Sequence, residues 1–113
     1  MTKKAMRTLF GRLLTLPTEI GKSEAELLAR EWARQEAAAE LQAAEDALLL
    51  DAERVNGKNA EQRAAQLRQL TEAERQTALL AERAHQEERA RLATLHAEFS
   101  AIRAAARLIA AAA

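Results

Sequence analysis

The chain has 113 residues, 17 Lys+Arg balanced by 17 Asp+Glu, no Cys and no Tyr, one Trp, one Pro and three Gly. Without Cys there is no disulfide scaffold and no thiolate-bound zinc, and so few Gly and Pro cannot supply the turns of a β sandwich or the glycines of a phosphate loop. With 29 Ala and 17 Leu, the composition is that of long helices or a coiled coil rather than a disordered tail, and the fold expected is all-α.

Residues 1–18 carry Lys3, Lys4, Arg7 and Arg12 and no acid. Met6, Leu9, Phe10, Leu13, Leu14 and Leu16 are interleaved with them. Arg12 interrupts any continuous apolar core, so a secretory signal does not fit; an Arg-containing, acid-poor stretch also suits a transit peptide. The main reading is a short basic amphipathic helix over about 4–16. Pro17 should end it, because the residue before proline is pushed out of the helical region. Residues 1–22 thus form a basic helix and connector, and 23–113 a helical hairpin.

Ser23 and Glu26 make an S-x-x-E capping box, so the first long helix is placed at about 23–55. Along it Ala37, Leu41, Ala44, Leu48, Ala52 and Val55 repeat every eleven residues, which predicts a straight apolar stripe. Trp32 is assigned to anchoring this arm against the next, with a partner-binding hot spot as the alternative.

Asn56-Gly57-Lys58-Asn59 is the clearest punctuation. Gly57 suits a left-handed helix terminus, and Asn59 with Gln62 reads as the N-cap of a second helix over about 60–109. Thr71 with Glu74 is a further capping box, marking a candidate break near Leu70. So short a turn predicts an antiparallel, coiled-coil-like pair whose facing residue numbers sum to about 115. Late in the second helix Leu92, Leu95, Phe99, Ile102, Ala106 and Ile109 step by three and four, a heptad seam. In that register the apolar residues after Leu92 overhang. They need cover, either from the N-terminal helix or from a second chain, and a homo-oligomer, most simply a dimer, is expected.

The segment Val55-Asn56-Gly57-Lys58-Asn59-Ala60-Glu61-Gln62-Arg63-Ala64, followed by Leu67, resembles a G-K-N-x-x-x-R signature of small helical proteins from bacteriophages and prophages. The resemblance implies a helical hairpin, a place among replication or recombination functions, and the cytoplasm of a bacterial host. Arg63 is the residue that capping does not explain; bonding helix-end carbonyls or holding an anion with Lys58 are its two readings.

Little in the sequence suggests catalysis. Glu82 and His85 form one E-x-x-H, but di-iron bundles need paired motifs and inward acids on facing helices. His85 and His96 lie eleven residues apart on one face, about 16 Å of helix rise, too far for one metal ion. No nucleophile elbow or zincin motif is present. The expectation is a non-enzymatic protein with no cofactor and no metal, and with membrane association not expected.

Charge is unevenly placed. Residues 19–98 hold every acid and net −6, while Arg103 and Arg107 make the C-terminal end basic. Three functions follow as expectations. The first is a protein-interaction accessory of phage or mobile-element DNA metabolism, with an oligomer or partner surface drawn from Leu9, Phe10, Leu13, Trp32, Leu92, Leu95, Phe99, Ile102 and Ile109. The second is a nucleic-acid-binding module using Lys3, Lys4, Arg7, Arg12, Arg103 and Arg107. The third is an inhibitor of a host DNA-processing or defence enzyme through the acidic helical face.

Overall fold

The computed structural model describes Thr2–Ala112. It holds α1 (Lys3–Leu49), α2 (Ala60–Leu70) and α3 (Glu72–Ala112), and among the described residues no strand.

The separate N-terminal helix does not exist. Helix α1 runs unbroken through Pro17, which lies inside it, and through Ser23. The hydroxyl of Ser23 does not cap anything: it is 2 % exposed and donates to Glu88 Oε1 at 2.9 Å. Tertiary pairing therefore overrides both local stop signals. A proline inside a helix removes one hydrogen bond and clashes with the preceding turn; the apolar burial on either side outweighs that cost.

That burial runs along a longer stripe than the one anticipated, and on a seven-residue rather than an eleven-residue repeat. Along α1 a seam of buried or half-buried residues runs through Leu9, Leu13, Leu16, Ile20, Ser23, Leu27, Arg30, Arg34, Ala37, Leu41, Ala44 and Leu48, with half-buried Met6, Arg12, Glu19, Glu31 and Glu45 beside it. Along α3 the seam runs through Glu74, Ala78, Ala81, His85, Glu88, Leu92, Leu95, Phe99, Ile102, Ala106 and Ile109, with half-buried Arg75, Glu82, Ala84, Glu98 and Ala105 beside it. Both alternate steps of three and four, the coiled-coil heptad. The predicted stripe merges with this seam as far as Leu48; Ala52 lies beyond the helix and is exposed.

The chain sorts into two compact units. The first comprises Met1–Leu28 with Glu87–Ala113. Its buried cluster is Leu16, Ile20 and Leu95, with Leu92, Phe99 and Ile102 packed against it. Of the residues expected to overhang, Leu92, Leu95, Phe99 and Ile102 are thus covered within the chain by the first half of α1, whereas Leu108 stays 73 % exposed.

The second unit is Ala29–Gln86. Its buried residues are small: Ala37, Val55 and Thr71. The unit leans on polar cross-links between helices instead. Arg75 Nη2 bonds Glu45 at 2.9 Å, and Arg30 Nη1 donates to the Ala84 carbonyl at 2.8 Å.

The turn is longer than Asn56–Asn59, because α1 stops at Leu49 rather than near Val55. Asp51 accounts for the early stop. Its amide bonds the Leu48 carbonyl, three residues back, at 3.0 Å, and its carboxylate accepts from the Glu53 amide at 3.2 Å, an Asx turn that competes with continuation of the helix. The expected break near Leu70 is present, but the capping box does not cause it. The Thr71 hydroxyl back-bonds to the Leu67 carbonyl at 2.7 Å, and Thr71 leaves helical geometry at φ −111°, ψ 19°.

Candidate interaction surface

The turn residues form one hydrogen-bonded unit. Asn59 caps α2, its Oδ1 accepting from the Gln62 amide at 2.8 Å. Gln62 reaches back to the Lys58 amide at 2.8 Å. Arg63 Nη1 donates to the Gly57 carbonyl at 3.1 Å, so it secures the turn itself rather than the end of α1. Gln66 exchanges bonds with Asn56 and also accepts from the Gly57 amide at 2.8 Å. Gln66 was not among the residues expected at the turn, although a glutamine one helical turn beyond Gln62 was a usable signal.

Gly57 does not take the expected left-handed conformation; no glycine among the described residues has positive φ. It is required for room. A Cβ there would stand 2.7 Å from Gln62 Cβ and 2.8 Å from the Arg63 amide nitrogen.

The six basic candidates do not form one patch. Arg12 is committed internally, in a fork on Glu98 at 2.5 and 2.8 Å and in a further pair with Glu19. The hydrogen bond from Arg12 holds the Glu98 carboxyl below its ordinary range. Arg103 lies over the Phe99 ring, 5.5 Å from its centroid, and flanks a small depression with Arg107. Lys3, Lys4 and Arg7 are exposed, and among the described residues no ion pair holds them.

The apolar candidates also divide. Leu95 is buried; Leu9, Leu13, Leu92, Phe99, Ile102 and Ile109 are half-buried and lie along the seams. Leu92, Phe99 and Ile102 pack against the buried cluster of Leu16, Ile20 and Leu95, while Leu9 and Ile102 also line an open groove beside Arg12 and Glu98. Phe10 and Trp32 do face outward. Trp32 is 67 % exposed, which overturns its assignment as an anchor between the arms. Leu14 and Leu28 were not expected on the surface, yet they are 79 % and 62 % exposed. A shallow groove lined by Lys3, Met6, Arg7, Phe10, Gly11 and Leu14 opens on this face.

Both residues of the E-x-x-H motif are drawn into cross-helix pairs. His85 Nε2 lies 2.9 Å from Glu31, and Glu82 lies 3.5 Å from Arg34. His96 does not share the seam position of His85: it is exposed, 3.9 Å from Glu24. Among the described residues no group of acids and histidines is placed to hold a metal ion.

Glu31 is the most perturbed acid. Hydrogen bonds from Arg34, then from Gln35, lower its pKa from 4.5 to about 2. A carboxylate depressed on folding stabilises the fold above its ordinary pKa and loses that contribution as pH falls through the folded value. Melting temperature should therefore fall between pH 4.5 and pH 2. Glu31→Gln should flatten that part of the profile, read by circular dichroism, and an unchanged slope would refute the assignment.

Compared with protein-family models, with curated proteins and with solved structures, the chain finds no significant match. No helix among the described residues is long and apolar enough to cross a membrane.

Proposed function

We propose that the chain is a non-enzymatic interaction protein, a helical scaffold that docks partners on the outer face of α1. One observation carries this reading. Phe10, Leu14, Leu28 and Trp32 are exposed on a helix whose inward seam is already filled. Large apolar side chains cost solubility when left in water, and a row of them marks an interaction site. The G-K-N-x-x-x-R turn supports an accessory role in phage or mobile-element DNA replication or recombination, in a bacterial cytoplasm.

The test is affinity capture from bacterial lysate on the immobilised chain, beside the double variant Leu28→Ala/Trp32→Ala. A protein retained by the parent and lost by a variant of unchanged helicity is expected. Identical captured sets would refute docking on this face.

Nucleic-acid binding is the second reading, favoured by Lys3, Lys4 and Arg7, which no ion pair among the described residues holds. Three such phosphate contacts give a log–log salt slope of roughly −3 in a gel-shift series. Absence of a shift at low salt would remove this reading. Inhibition through an acidic face has less support, since Glu31, Glu45, Glu82 and Glu88 are engaged with side chains of neighbouring helices.

A further inference from the structure

We infer that the outer face of α1 is a self-complementary dimer interface, and that its first occupant is a second copy of this chain packed antiparallel across Gly21. The inference rests on reading the exposed apolar side chains as a docking surface, and it names their partner.

The geometry is that of a single helix. At about 100° per residue, Phe10, Leu14, Pro17, Gly21, Leu28 and Trp32 fall within an arc about 60° wide, well away from the seam. Gly21 is the centre of this row. Leu14 and Leu28 lie seven residues on either side of it, and Phe10 and Trp32 lie eleven on either side. Seven and eleven residues are close to two and three turns, so each member of a pair stands on the same face as Gly21. A two-fold axis through Gly21 therefore brings Leu14 against Leu28 of the copy, and Phe10 against Trp32 of the copy. Two-fold interfaces have this property, each patch meeting itself reversed.

Gly21 gains a reason from the arrangement. A glycine in a helix interior weakens the helix. Inside its own chain nothing demands one, since a Cβ built there meets nothing within 4 Å. At the crossing point of two helices, a residue without a side chain lets the backbones approach.

Charge and shape agree. The same two-fold axis sets the basic start of α1, Lys3 and Arg7, beside Glu36 and Glu40 of the copy, all four exposed. The groove around Phe10 and Leu14 then lies where the indole of Trp32 from the copy arrives, with Arg7 on its rim.

Sedimentation of the full chain at tens of micromolar should give a mass twice 12.4 kDa; a monomer overturns the inference. Gly21→Leu should yield a monomer of undiminished helicity, because the added side chain has free space within its own chain. A persisting dimer would place the interface elsewhere. The chain's lack of cysteine allows a direct check of orientation. A mixture of Leu14→Cys and Leu28→Cys should form disulfide-linked dimers readily. Leu14→Cys alone should not, its two copies being about 21 Å apart along the axis. Equal cross-linking of Leu14→Cys alone refutes the antiparallel register. A monomeric chain that still captures another protein through Trp32 overturns the dimer and leaves the interaction reading standing. A dimer that captures nothing else upholds the inference and confines that reading to self-association.

Discussion

Leu16→Ala is expected to destabilise the chain by about 3 kcal/mol, the range for truncating a fully buried leucine being roughly 2–5 kcal/mol. Leu16 is fully buried, packed in one cluster with Ile20 and Leu95. The effect is large relative to the fold because few residues share the load. Among the described residues, the buried apolar set is Leu16, Ile20, Ala37, Val55 and Leu95, and two of these five have small side chains. Total stability of a chain this size is about 5–15 kcal/mol, so one lost leucine removes a large share. The melting temperature should drop by roughly 10 °C or more. Leu14→Ala is the control, on the same helix but 79 % exposed. In a monomer it should be nearly silent; in the dimer inferred above its cost should appear as a concentration-dependent melting temperature. Thermal denaturation at two protein concentrations separates the two variants. A Leu16→Ala chain that melts with the parent would show that the cluster contributes little.

Helical class was legible because it rests on composition and on residues whose partners lie close in sequence. Asn59 caps α2 through Gln62 three residues on, and Thr71 breaks the helix through Leu67 four residues back. The errors share one cause, a local signal whose meaning depends on a distant residue. Ser23 with Glu26 reads as a cap until Glu88, 65 residues away, is seen to accept its hydroxyl. The heptad of α1 was hidden because Ser23, Arg30 and Arg34 occupy inward positions where apolar residues are expected. Arg34 is tolerable there because Glu31 and Glu82 meet it, and Ser23 because Glu88 does. Without those three positions the shorter stripe from Ala37 onward stands out, and a separate N-terminal helix is supplied before it. The outer face was half legible. Phe10 and Trp32 stand out as aromatic side chains, whereas Leu14 and Leu28 do not, because no single-helix pattern tells an inward leucine from an outward one when both faces carry them.

Pro17→Ala should raise stability by about 2 kcal/mol, and its sign decides how the first fifty residues are built. Helix α1 passes from Lys3 to Leu49 with Pro17 inside. At that position proline has no N–H to donate to the Leu13 carbonyl, and its ring crowds the preceding turn, a cost of about 3 kcal/mol in a helix interior. Alanine restores the bond and is the best helix former. Part of the gain is offset, since proline also stiffens the unfolded chain by about 0.4–1 kcal/mol. Pro17 is exposed within its own chain, so no packing inside the chain is lost. Were residues 1–22 instead a separate helix and a connector, Pro17 would sit in the connector, and alanine would lower stability through the unfolded state alone. The two architectures predict opposite signs. A thermal melt at matched concentration reads the sign. Hydrogen exchange reads the mechanism, at the backbone amide that Pro17→Ala introduces and at the amides of Leu16 and Thr18. Protection there comparable to the rest of α1, with a raised melting temperature, is the expected result; a lowered melting temperature with fast exchange would restore the connector.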